Sequence, residues 1–166
     1  MASKVLLVMG SDSDLEALLP AVDALKELGV PVEVTVASAH RSPDRVVLLA
    51  RAARDNGFGV VLAAAGGAAH LAGVFAANTT LPVVAIPIAI GTLGGVDALL
   101  SSVQMPGGVP IASVGIGSSR NAGMFAAAIL ASSDAALAGR LDAFRTRQAA
   151  KVVEADAKVQ AKLTGR

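Results

Sequence analysis

Two histidines, His40 and His70, are the only ones in a chain of 166 residues that has no cysteine, tryptophan or tyrosine. Each stands just past an apolar run, His40 in VTVASAHRSPDR and His70 in LAAAGGAAHLAG. An imidazole moves protons near neutral pH, so a histidine at the mouth of a strand is a candidate acid/base. Arg41, beside His40, offers a planar fork that can clamp a phosphate. A third stretch, GSDSD at 10–14, supplies Ser11, Asp12, Ser13 and Asp14 at the start of a helix, where hydroxyls and backbone N–H groups can hold an anion. Gly66 and Gly67 allow backbone to approach a ligand closely. The chemistry these types describe is proton transfer on a phosphorylated ligand.

Plainer readings stand beside these. Ser13 and Glu16 have the S-x-x-E spacing of a capping box, so this stretch also reads as a mere helix start. Ser42 before Pro43 reads as a helix cap and nothing more. The glycine pair also fits a simple tight turn. Other candidate motifs carry less. GIGSSR at 115–120 lacks the third glycine of a dinucleotide fingerprint. Asp12 and Asp14 resemble the acidic pair of a phospho-receiver, but the third apolar run ends in AAAGG, with no aspartate to accept phosphate. A flavin site would call for aromatic residues, and the two histidines have no carboxylate at ligand spacing to complete a metal site.

The elements that position these residues follow from periodicity and punctuation. Strands are expected at 4–9, 32–37, 59–65, 82–88 and 110–116. Helices are expected at 15–28, 42–57, 68–78, 94–103 and 121–133, with a long helix from 134 to about 163. Pro20 should kink the first helix or shift its start. Strands alternating with helices predict an α/β fold, a three-layer flavodoxin-like sandwich with a five-stranded parallel sheet in the order 2-1-3-4-5. In that order strands 2, 1 and 3 are neighbours. The loops at 10–14, 38–42 and 65–70 then meet at one crevice beyond the strands' C-terminal ends.

The whole chain, 1–166, reads as one domain, with a core at about 4–133 and a C-terminal oligomerisation helix at about 134–163. That helix carries Leu137, Leu141 and Phe144 on one face and follows a completed α/β unit. It is therefore expected to pack on a neighbouring subunit. A net charge of +1 and 2% aromatic residues argue against nucleic acid as a partner. Hydrophobic residues make up 54% of the chain, and Asp97 is the only charged residue between Asp55 and Arg120. The apolar runs are nevertheless short and broken by NGFG, AGG, NTTLP and MPGGVP, so no membrane span is expected. The N-terminal MASKVLLVMGSDSD is a poor signal peptide, and the lack of cysteine fits a reducing cytoplasmic location.

Taken together, VMGSDSD, SAHRSPD, AAGGAAHLAG, GGVDALLSSVQMPGGVPIASVGIG and NAGMFAAAIL closely resemble the PurE family of purine biosynthesis, over about residues 4–150. The resemblance implies an isomerase that turns N5-carboxyaminoimidazole ribonucleotide into 4-carboxy-5-aminoimidazole ribonucleotide. The route it implies is decarboxylation, retention of CO2 and recarboxylation of the ring, with no metal or organic cofactor. It further implies that His40 is the acid/base, that His70 is a second catalytic-site residue, and that Ser11, Ser13, Asp14, Ser38, Ala39, Arg41, Gly66, Gly67 and Leu71 bind substrate. Ala69 is expected among the small residues that enclose CO2. A homo-octamer is implied, with the C-terminal helix reaching onto a neighbour. Three places depart from the family pattern: Ala72 stands where a proline is usual, Gly107 where some members have arginine, and GIGSSRNAG looks short. Two rivals remain: direct carboxylation of aminoimidazole ribonucleotide within the same family, and a non-catalytic nucleotide-binding domain on the same scaffold.

Overall fold

The computed structural model describes residues 3–165. The expected domain span also takes in Met1, Ala2 and Arg166, which lie outside the described residues. Five strands, β1 (Lys4–Met9), β2 (Val32–Val36), β3 (Phe58–Gly66), β4 (Val83–Ile88) and β5 (Ala112–Ser113), form a single sheet in the order β2-β1-β3-β4-β5. Every neighbouring pair is parallel. The fold class and strand order are those read from the sequence.

The unbroken apolar runs are explained by burial on both sheet faces. In β1, Val5, Leu7 and Met9 enter one core, while Leu6 and Val8 enter the other. β3 divides in the same way, with Val60, Leu62 and Ala64 on one side and Val61 and Ala63 on the other. The first core is closed by α1 (Leu15–Glu27) and α5 (Ser119–Ala131). The second is closed by α2 (Pro43–Ala52) and α3 (Leu71–Asn78). Helices α1 and α5 meet through small residues: a Cβ on Gly123 would come within 2.7 Å of the Ala21 carbonyl oxygen. Helix α4 (Val96–Val103) packs on β4 and β5.

Several boundaries differ from expectation for local reasons. Pro20 lies inside α1 and neither ends it nor moves its start. It is solvent-exposed, so the carbonyl it leaves unpaired one turn earlier can turn to water. Helix α2 stops at Ala52, and turns lead to Gly57, whose φ of +81° suits glycine. Strand β5 pairs over two residues only, because Pro110 lacks an N–H and Gly115 and Gly117 start a turn.

Helix α6 (Ala135–Thr164) corrects one expectation. Its first turns do have a core of their own. Asp134 caps it by accepting a hydrogen bond from the Leu137 N–H at 3.0 Å. Leu137 and Leu141 are buried in the first core, and Phe144 packs against it. Arg140 Nε donates to the Leu28 carbonyl at 2.7 Å. The Glu27 carboxylate receives Arg120 of α5 at 2.7 Å and Arg147 of α6 at 3.3 Å. The Arg120 hydrogen bond above all, then Arg147, holds that carboxyl below its usual range. Every residue from Arg145 to Gly165 is exposed, including Val152, Val153, Val159 and Leu163. The unpartnered part of the helix is thus its second half.

Candidate active site

Strand β1 lies between β2 and β3, so the loops after these three strands converge. They form a cleft of about 410 Å³ lined by Gly10, Ser11, Ser13, Asp14, Ser38, Ala39, His40, Arg41, Ala65, Gly66, Ala68, His70, Leu71 and Ile90. Ten of the eleven residues expected at the site line it, and Gly67 does not. Asp12 is also outside the lining, as is Ala69, which is buried at 4% exposure. From the end of β3 and the loop after it, Ala65, Gly66 and Ala68 are the small residues that face the cleft. A larger hollow of about 520 Å³ lies near Gly29 and the start of α6. Its charged residues are already engaged, Asp134 in capping and Arg140 on the Leu28 carbonyl, and it contains no histidine.

Inside the cleft, His40 Nε2 and His70 Nδ1 are 2.8 Å apart. The ring centroids are 4.9 Å apart and the planes cross at 82°. At that separation one nitrogen donates and the other accepts, so a single proton lies between the rings. His40 comes from the loop after β2. His70 comes from the position just before α3, thirty residues away in sequence.

The His40 loop is buckled by its serines. The Ser38 N–H donates to Ser42 Oγ at 3.0 Å, and Ser42 Oγ donates to the Ser38 carbonyl at 3.2 Å. Ser42 therefore holds the loop closed, and its side chain does not cap α2 as expected. Ser38 Oγ accepts from the Arg41 N–H at 3.2 Å and from Arg41 Nε at 3.4 Å. Arg41 Nη2 donates to the Gly10 carbonyl at 2.8 Å, which joins the first loop to the second. The guanidinium is thus oriented by neutral acceptors and, among the described residues, makes no ion pair with a carboxylate.

The first loop departs from the capping-box expectation. Ser11, not Ser13, is the cap, and it receives the Ser13 N–H at 3.4 Å. The two hydroxyls are 2.9 Å apart. Asp14 takes the position before α1 without a side-chain capping bond. It is buried, and desolvation raises its carboxyl above the ordinary value of 3.8. The Ser11 backbone and Ser13 hydroxyl oppose that rise, Asp12 adds to it, and Arg41 opposes it.

The two glycines have different jobs. Gly67 has φ +63° and makes the turn, as its plain reading held. Gly66 faces the cleft at a close approach: a Cβ there would lie 2.7 Å from the Ile90 side chain. Ile90 itself was missed in the sequence. It follows β4, whose C-terminal end reaches the same edge of the sheet, and AIPIAIG carries no polar residue to draw notice. No group of three or more His, Cys, Asp or Glu that could hold a metal ion is gathered among the described residues.

A five-stranded parallel α/β domain with a histidine pair at the β1/β3 crevice defines a class, and the chain belongs to the AIR carboxylase family, whose model matches residues 4–151. The resemblance to PurE read from the motifs is borne out. The chain is similar to the N5-carboxyaminoimidazole ribonucleotide mutase of Mycobacterium leprae, with 49% identity over 157 residues, 95% of this chain and 92% of the relative. It is also similar to the phosphoribosylaminoimidazole carboxylase of Schizosaccharomyces pombe, with 49% identity over 148 residues, 89% of this chain and 27% of that protein. Treponema denticola PurE superposes with a TM-score of 0.86 at 26% identity, covering 94% of this chain and 98% of that one.

Proposed function

We infer that the chain is an isomerase of purine biosynthesis that converts N5-carboxyaminoimidazole ribonucleotide to 4-carboxy-5-aminoimidazole ribonucleotide. The support is its similarity along almost its whole length to a mutase of that name. The observation that carries the mechanism is the His40–His70 contact in a cleft whose lining includes the apolar side chains of Ala65, Ala68, Leu71 and Ile90. Chemistry sets what the site must do. The N–CO2⁻ bond breaks to give CO2, and the nitrogen takes a proton. The ring carbon then forms a bond to CO2 and loses its own proton. One proton is taken and one is given back, so a single acid/base closes the cycle. His40 fills that role, with His70 as its partner.

CO2 is small and neutral, and it is held by excluding water and offering close apolar walls rather than by charge. Ala65, Ala68, Leu71 and the close-set Gly66 provide such walls. Arg41, Ser11, Ser13 and Asp14, with Ser38 and Ala39, hold the ribose and phosphate, the anion facing the guanidinium and the start of α1. Gly67 acts through the turn it makes. The reaction as written calls for no metal or organic cofactor. Turnover of the purified chain on N5-carboxyaminoimidazole ribonucleotide alone is the test.

A second reading, direct carboxylation of aminoimidazole ribonucleotide, is favoured by the name of the Schizosaccharomyces relative. The fate of labelled carboxylate during turnover in excess unlabelled bicarbonate separates the two. The working form is a homo-octamer in the cytoplasm. Its interfaces cover the exposed stripe Val96, Leu100 and Val103 along α4, with Leu93 in the turn before it, and the exposed valines of α6. Neither nucleic acid nor membrane is a partner. Among the described residues no helix is long and apolar enough to cross a membrane.

A further inference from the structure

We infer that Ser101 is a positioning residue that holds the His70 loop in place from helix α4. This rests on the reading of the cleft as the active site. Ser101 Oγ donates to the Asp97 carbonyl at 2.7 Å, the usual bond of a helical serine to the preceding turn. The same oxygen accepts the Ala69 N–H at 3.1 Å. The Gly67 carbonyl lies 3.5 Å away. Ala69 is buried, so its N–H has no recourse to water if Ser101 is lost.

The consequence runs through geometry. Residues 66–70 form the turn that carries His70 to its 2.8 Å contact with His40. Gly67, at φ +63°, gives that turn a backbone with few steric limits of its own. An external anchor is therefore needed, and Ser101 supplies one at the residue immediately before His70. Ser102, its neighbour, provides an internal comparison. It is buried, it donates to the Ala98 carbonyl at 2.8 Å in the same helical manner, and it makes no hydrogen bond to the loop.

The test compares Ser101→Ala, Ser101→Thr and Ser102→Ala in the full chain. Ser101→Ala should lower kcat by about 10- to 100-fold with KM nearly unchanged, since displacement of a reacting group by about 1 Å has that effect. Ser101→Thr, which keeps the hydroxyl, should recover most of the loss. Ser102→Ala should leave kcat near the parent value. In the free protein, amide exchange at Ala69 should rise in Ser101→Ala alone, and the ring-nitrogen NMR signals of His40 and His70 should shift with it. Unchanged Ala69 exchange, unchanged ring signals, unchanged kcat, or equal effects from the two alanine variants would each overturn the inference. Exchange and ring signals need no substrate, so a wrong substrate assignment would leave them intact and be told apart from a wrong role for Ser101.

Discussion

His40 Nε2 meets His70 Nδ1 at 2.8 Å, although the two residues belong to different loops on different strands. One proton serves both nitrogens, so the orientation of each ring depends on the other. His40→Asn should keep the fold, because the residue is exposed and lies outside both hydrophobic cores. It should lower kcat by about 10²–10⁴-fold, the usual worth of a general acid/base. Circular dichroism and a turnover assay on the same preparation check both halves. A near-parent rate would remove His40 from the chemistry.

Arg41 is oriented by the Gly10 carbonyl and the Ser38 hydroxyl, and among the described residues no carboxylate lies within ion-pair distance of it. A lysine would keep the charge and lose the planar fork. Arg41→Lys should therefore raise KM by roughly 10- to 100-fold, the range for losing hydrogen bonds to a charged group, with a smaller change in kcat. Steady-state kinetics decide it, and an unchanged KM would show that phosphate is held elsewhere.

Asp14 links function to stability. Burial holds its carboxyl above the ordinary 3.8, so folding favours the protonated form. Stability from this group is present at low pH and lost as pH rises through the raised value. Asp14→Asn should then be more stable than the parent at neutral pH. The gain should shrink as pH falls below the ordinary 3.8, where the carboxyl is protonated in the folded and the unfolded chain alike. The same variant should bind substrate more weakly. Melting curves at both pH values check the first part; a variant less stable than the parent at neutral pH would show that the carboxylate is well paired in the fold.

Helix α6 divides at Arg147, whose guanidinium reaches Glu27 of α1. A chain ending after Arg147 keeps the buried Leu137 and Leu141 and should fold. It loses Val152, Val153, Val159 and Leu163, which no described residue of the domain buries. Its mass by analytical ultracentrifugation should fall below that of the assembly formed by the 166-residue chain, or its Tm should drop at equal concentration. The same mass and the same Tm would make the second half of α6 a free solvated helix.

The sequence carried the layout of the sheet plainly, because short apolar runs alternated with helical periods and glycine stops. It also carried the convergence of three loops, which follows from strand order alone. What it hid were relations between side chains. Ser13 and Glu16 had the spacing of a capping box, yet Ser11 took the cap, because a 3-10 turn at Asp12–Asp14 precedes α1. Ser42 matched a cap and instead closes its own loop. Leu137, Leu141 and Phe144 looked unpartnered because nothing local shows that the first core is still open beside α5. Ala69 and Ala68 are alike in type, and only the turn at Gly67 decides which one faces the cleft.

The central claim is that the carboxyl group crosses from nitrogen to carbon without leaving the cleft. It is tested most directly by turnover of N5-carboxyaminoimidazole ribonucleotide labelled with ¹³C in the carboxylate, in excess unlabelled bicarbonate. Captive transfer predicts that most of the label appears in the 4-carboxy product, and that aminoimidazole ribonucleotide with bicarbonate turns over poorly. A product carrying mainly unlabelled carboxylate would contradict the account and identify a carboxylase that draws CO2 from solvent.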